Sequence, residues 1–222
     1  MRSKQKYFIS IVVVFLIFSI FLLQGCGKKA TTLPESSAPL ESAPQQSEAF
    51  RVLLVIANSD FQDREYDAVR NILSESGCKV MVSNSSGNES VGVNGTRVKP
   101  DLVYSEARVS DFECLVLIGG PGAKEYFEEP QLRTLVRNFD YAKRVVGAIC
   151  IAPVILANAG LLKGKRATVW PDERQKLVDK GAIVEDVPVQ VDGNIVTANG
   201  PDAAQEFARK LVEVLKSSQT KM

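Results

Sequence analysis

Short, almost uninterrupted apolar runs alternate along the chain with stretches whose apolar residues recur every three or four positions. Residues 50–58, F-R-V-L-L-V-I-A-N, form one such run, and its continuity predicts a strand buried on both faces. Residues 63–76 follow with Tyr66, Val69, Ile72 and Leu73 at helical spacing and Gly77 as the stop. A second strand is expected at 78–83, a polar loop at 84–90, and a hairpin over 91–98 with a primed turn at Asn94-Gly95. Residues 111–119 hold the buried run C-L-V-L-I and end in Gly119-Gly120-Pro121-Gly122. An amphipathic helix at 129–142 leads to the strand V-V-G-A-I at 145–149, then to a helix at 151–159 with Pro153 in its first turn. The rest continues the alternation: strand 166–169, helix 172–180, strand 182–184, a hairpin over 187–197 turning at Asp192-Gly193, and a closing helix at 201–215. This order predicts a mostly parallel sheet covered by helices on both faces. In such sheets ligands bind beyond the carboxyl ends of the strands. The loop after the first strand, the glycine turn after Ile118 and Cys150 all fall on that edge.

The N-terminus has a different pattern. Arg2, Lys4 and Lys6 precede an uncharged, mostly apolar run over 8–23, followed by Leu23-Gln24-Gly25-Cys26. This resembles a bacterial lipoprotein signal, with cleavage before Cys26 and lipidation of its thiol. The alternative is an uncleaved membrane anchor, for which the run is short of the roughly 20 residues a span needs. Residues 27–49 are rich in Ser, Pro, Ala, Glu and Gln and read as a disordered tether reaching about 25–30 Å. The expected division is therefore signal peptide 1–25, lipidated cysteine and tether 26–49, and one folded domain 50–217, anchored by lipid on the extracytoplasmic side of a cell membrane.

Composition narrows the function classes. The chain has 222 residues, 45% of them hydrophobic, enough for one domain with a full core. Removing three basic and no acidic residues with the signal, from totals of 27 and 26, leaves a net charge of −2. That balance gives no electrostatic footprint for nucleic acid. No cofactor motif is evident, and no cysteine spacing matches a metal site in a chain with 0 histidines. Cys78 and Cys114 begin different strands and read as buried hydrophobes.

Cys150 is the candidate for chemistry. It sits where a buried strand turns into a helix, flanked two residues away by Ala148 and Ala152, as a strained nucleophile turn requires. A helix N-terminus and unpaired N–H groups there would favour the thiolate. A free cysteine is also often a small buried hydrophobe. The two readings predict different geometry: positive φ at Cys150 with a carboxylate at the sulfur, or an ordinary buried strand residue.

Four segments decide more. F-Q-D-R-E-Y at 61–66, L-V-L-I-G-G-P-G at 115–122, A-I-C-I-A-P at 148–153 and V-D-G-N-I-V-T-A-N-G-P at 191–201 together resemble the ThiJ/PfpI family, the superfamily of the Parkinson's-disease-associated protein deglycase. The resemblance implies a flavodoxin-like three-layer α/β/α sandwich, usually dimeric, with Cys150 as the functional thiol. It also implies that Glu65, which by itself reads as a solvated first-turn acid, lies against that thiol. The backbone N–H groups of Gly120 and Ile151 are candidates for an oxyanion-type pocket, with Gly119 and Trp170 in its wall. The departures count as well. Peptidase members carry histidine directly after the cysteine, where Ile151 stands, and an acid after the double glycine, where Lys124 stands with Glu125 next. Deglycase-like members carry histidine at the position of Trp170. A Cys-His triad within this chain is therefore excluded. Two functions remain: attack of Cys150 on a small electrophile, as a glyoxalase-, deglycase- or hydratase-like enzyme, or a non-catalytic redox-responsive or stress-related binding protein oxidised at Cys150.

Overall fold

The computed structural model describes residues 49–219. The signal peptide, Cys26 and all but the end of the tether lie outside the described residues. In chain order the elements are β1 (Arg51–Val55), β2 (Ser59–Phe61), α1 (Asp63–Glu75), β3 (Lys79–Asn84), β4 (Ser90–Gly92), β5 (Arg97–Val98), β6 (Leu102–Val103), β7 (Cys114–Leu117) and α2 (Pro130–Tyr141). They continue with β8 (Val145–Ile149), α3 (Pro153–Asn158), β9 (Arg166–Ala167), α4 (Arg174–Asp179), β10 (Ile183–Val184), β11 (Val189–Asp192), β12 (Ile195–Ala198) and α5 (Ala204–Gln219).

Seven strands form the main sheet in the order β11-β12-β8-β7-β1-β3-β6. Every pairing is parallel except that of β11 with β12. The three central strands read as continuous apolar runs because both faces are covered: β7, β8 and Val52–Val55 of β1 are buried throughout. Helices α1 and α5 pair on one side of the sheet, and α2 packs on β7 and β8. At Gly147 of β8 an added Cβ would lie 2.7 Å from Leu211, so α5 sits directly on the strand backbone there. The mostly parallel sheet expected from the alternation, and the flavodoxin-like sandwich implied by the family resemblance, are the fold observed. Cys78 and Cys114 are free and buried, with β1 between their strands.

Small elements outside the main sheet differ from expectation. Ser59–Phe61 leaves the first apolar run to pair with β4, which pairs in turn with β5. That hairpin does not close through a primed turn. The Gly95 N–H donates to the Gly92 carbonyl at 3.0 Å, so Val93 and Asn94 are the central residues. Neither has positive φ, and the left-handed position is taken by Gly95 at φ 90°. The cause is Asp63, buried at the start of α1, which accepts from the Asn94 N–H at 2.8 Å and the Thr96 N–H at 3.0 Å. Burial alone would raise the Asp63 pKa; hydrogen bonds from Thr96 and Asn94 outweigh it and hold the carboxyl below its ordinary value. Strands β9 and β10 pair with each other rather than joining the main sheet, and β9 packs against β11 and β12.

Candidate active site

The carboxyl edge of the sheet gathers the ends of β1, β7, β8 and β12. Cys150 follows β8 directly and has φ 62°, one of three positive values among non-glycine residues described. Its N–H donates to the Ala198 carbonyl at 2.9 Å, and its carbonyl accepts from the Trp170 N–H at 2.8 Å. These two bonds tie the residue to neighbouring chain on both sides, against a left-handed backbone cost of about 1–2 kcal/mol.

Glu65 sits in the first turn of α1 and is fully buried. Its Oε2 accepts from the Gly119 N–H at 3.0 Å. Its Oε1 is buried with no conventional hydrogen-bond partner, and the carboxyl faces the Cys150 thiol. Gly119 is what permits the approach. A Cβ at that position would lie 2.5 Å from the Cys150 Cβ, 2.8 Å from the Ile149 carbonyl oxygen and 2.9 Å from Glu65 Oε2. Cysteine and carboxyl thus flank a space that any side chain at 119 would fill. Gly120 takes φ 100°, and a Cβ there would meet the backbone of Gln62 at 2.4 Å, so the double glycine is pressed against the entry to α1.

The electrostatics follow from this packing. Burial raises Glu65 from 4.5 to about 7, against the pull of the Gly119 N–H and of Cys150. Burial and the neighbouring Glu65 charge push the Cys150 thiol up to about 12, and the N–H groups of Gly120 and Ile151 pull the other way. The expectation that the turn itself makes a thiolate is therefore corrected. Helix α3 has six residues and begins three positions after the cysteine, too short and too far to offset burial beside a carboxylate. A proton on Glu65 removes the opposing charge, so the protonation states of the two groups are linked. Gly120 and Ile151, expected as oxyanion donors, direct their N–H groups at the sulfur itself.

In front of Cys150 lies a cleft of about 340 Å³ lined by Gly120, Ile151, Trp170, Gln62 and Lys124, with Asp172 and Glu173 also in its wall. The structure thus brings Cys150, Glu65, Gly119, Gly120, Ile151 and Trp170 to one place. The sequence reading missed Gln62, Asp172 and Glu173 as cleft residues and noted Lys124 only as a departure. Glu173 is buried and paired with Lys176. Gln62 was within reach of a motif reading, since it stands in F-Q-D-R-E-Y; Asp172 and Glu173 carried no local signal. No cluster of metal-ligating side chains occurs among the described residues.

The sequence model of the DJ-1/PfpI family matches residues 50–214. An uncharacterized protein of Methanocaldococcus jannaschii is 41% identical over 170 residues, covering 75% of this chain and 82% of that protein. The crystal structure of a ThiJ/PfpI domain protein from Brachyspira murdochii superposes with TM-score 0.75 at 30% identity, over 77% of this chain and 99% of the other. Toxoplasma gondii DJ-1, in a structure described as oxidized, gives TM-score 0.69 at 29% identity over 77% and 93%.

Proposed function

The chain belongs to the DJ-1/PfpI family, and we propose that it acts on small electrophiles such as reactive dicarbonyls, with Cys150 as nucleophile and Glu65 as proton carrier. One observation carries the reading: a cysteine held at φ 62° between a buried carboxyl and an open cleft. Packing alone does not call for this. Cys114, a cysteine that fills space, sits in ordinary strand geometry. A buried carboxyl oxygen without a conventional hydrogen-bond partner costs stability, so packing gives no reason to keep it there.

The addition balances without a cofactor. The Cys150 S–H gives its proton to the Glu65 carboxylate while the sulfur bonds to the aldehyde carbon. The C=O electron pair moves to oxygen, which takes up a proton and gives a hemithioacetal. In a 2-oxoaldehyde, moving the proton on that carbon to the neighbouring carbonyl carbon, through an enediol, leaves a thioester. Water hydrolyses the thioester to a 2-hydroxy acid and restores the thiol. A carboxyl titrating at about 7 suits a proton carrier near neutral pH. With 0 histidines in the chain, a Cys-His peptidase mechanism within it is excluded. The test is methylglyoxal consumption by the purified full-length protein, with lactate as product. Cys150→Ala should abolish it and Glu65→Gln should slow it by about 10²-fold or more. Equal consumption by Cys150→Ala refutes the proposal.

A second reading has its own support. The Gly120 and Ile151 N–H groups reach the sulfur together with Glu65, a donor set that suits sulfinate oxygens. The solved structure of Toxoplasma gondii DJ-1 is described as oxidized. Two equivalents of peroxide would take the thiolate to sulfenate and then sulfinate, releasing one water each. Selective addition of two oxygens at Cys150, lost in Glu65→Leu, supports this function; equal oxidation of Cys78 and Cys114 refutes it. Lipid anchoring through Cys26 and homodimer formation, the usual state in the family, complete the proposal.

A further inference from the structure

Glu65 lies behind the sulfur and does not line the cleft; the charged side chains that do are Lys124, Asp172 and Glu173. Glu173 is neutralised by Lys176. Asp172 is exposed, on the Trp170 side. Lys124 stands on the other side, in the 3₁₀ turn Pro121–Tyr126 that begins at Gly120, whose own N–H reaches the sulfur. Its ammonium has no hydrogen-bond or ion-pair partner among the described residues.

The turn that carries Lys124 is fixed. The Ala123 N–H donates to Gly120 at 3.0 Å, and the Phe127 N–H donates to the Lys124 carbonyl at 3.2 Å. A Cβ on Gly122 would sit 1.8 Å from the Ser59 carbonyl oxygen, so the turn is clamped to the loop after β1. The backbone at Lys124 is thereby fixed beside the Gly120 donor, and its exposed side chain lines the same cleft as Cys150.

We infer that the cleft selects electrophiles carrying a carboxylate, which pairs with the Lys124 ammonium while Cys150 attacks the electrophilic carbon. This deepens the proposed reaction and rests on Cys150 being the attacking group. It makes Lys124 a specificity residue at the position where peptidase relatives carry an acid. Asp172 opposes the same anion from the far wall, which turns the bound molecule so that its negative group lies on the Gly120 side.

The test uses two reagents of nearly equal size, iodoacetate and iodoacetamide. Each forms a C–S bond with displacement of iodide, and they differ in charge on the group bonded to the reacting carbon, a carboxylate in one and a neutral amide in the other. Alkylation of Cys150 in the full-length protein is followed by peptide mass spectrometry, and the ratio of the iodoacetate rate to the iodoacetamide rate is taken for each variant. A unit charge several ångströms away in a half-open cleft predicts that Lys124→Met lowers the ratio about five- to tenfold, and Lys124→Glu lowers it further. Asp172→Asn should raise it, and 0.5 M salt should compress all differences, as about 4–5 Å of screening length implies. An unchanged ratio in both Lys124 variants overturns the inference, and so does a Cys150 that reacts with neither reagent. A ratio that shifts as expected in a protein that turns over no oxoaldehyde would leave the anion preference standing and defeat the proposed reaction instead.

Discussion

Replacing Glu65 by glutamine should change how the stability of the protein depends on pH. The folded state holds this carboxyl at a pKa of about 7, against 4.5 for an exposed glutamate, because burial disfavours its charged form more than the Gly119 N–H and Cys150 favour it. Between those two values the folded chain binds a proton that the unfolded chain has released. Stability therefore falls as pH rises: the contribution is fully present below about pH 4.5 and is lost as pH passes about 7. The displacement corresponds to about 3 kcal/mol, an order-of-magnitude figure. Glutamine keeps an oxygen for the Gly119 N–H and a donor for the sulfur, and cannot ionise. Urea unfolding of the wild type and Glu65→Gln at intervals from pH 4.5 to 8.5 isolates the effect, since groups remote from position 65 titrate alike in both proteins and cancel in the difference. The Cys150 thiol, pushed up to about 12, stays outside this window. Relative to the variant, the wild type should lose about 3 kcal/mol across the range. A difference constant to within about 1 kcal/mol would refute the account of Glu65 as a desolvated carboxyl held next to the thiol.

Three further outcomes are expected. Gly119→Ala places a methyl 2.5 Å from the Cys150 Cβ and 2.8 Å from a backbone oxygen, so thermal unfolding should show a loss of about 1–3 kcal/mol; a fully stable variant would contradict the packing described. At position 150, with φ 62°, Cys150→Gly should be more stable than Cys150→Ala by about 1 kcal/mol, the reverse of the usual order in regular structure. Cys26→Ala should abolish incorporation of labelled palmitate in bacterial cells and release the protein from the membrane fraction; retained label would remove the lipid anchor from the proposal.

Much of the fold was legible along the chain. The runs at β1, β7 and β8 are apolar at nearly every position because strands with both faces covered need no polar side, and α1 and α2 show the spacing of helices with one buried face. The turn at Cys150 was legible too, from a short strand run, flanking alanines and Pro153 at the start of the next helix. What the residues there would do was not. Glu65 in isolation reads as a first-turn acid in solvent, yet it is fully buried against Gly119, 54 residues further on. Asp63 differs by two positions and is buried for another purpose, bracing the loop at Asn94 and Thr96, which is why the turn there departs from the one its Asn-Gly pair suggests. The direction in which the Cys150 thiol titrates likewise reversed, because desolvation and the Glu65 charge outweigh two N–H donors. Local pattern records which face of an element is buried, and so it determined the layers and the position of the turn. Protonation and the lining of the cleft depend on which groups from distant segments share a small, water-poor volume, and only the packing of α1, the double-glycine turn and the Trp170 loop around β8 decided that.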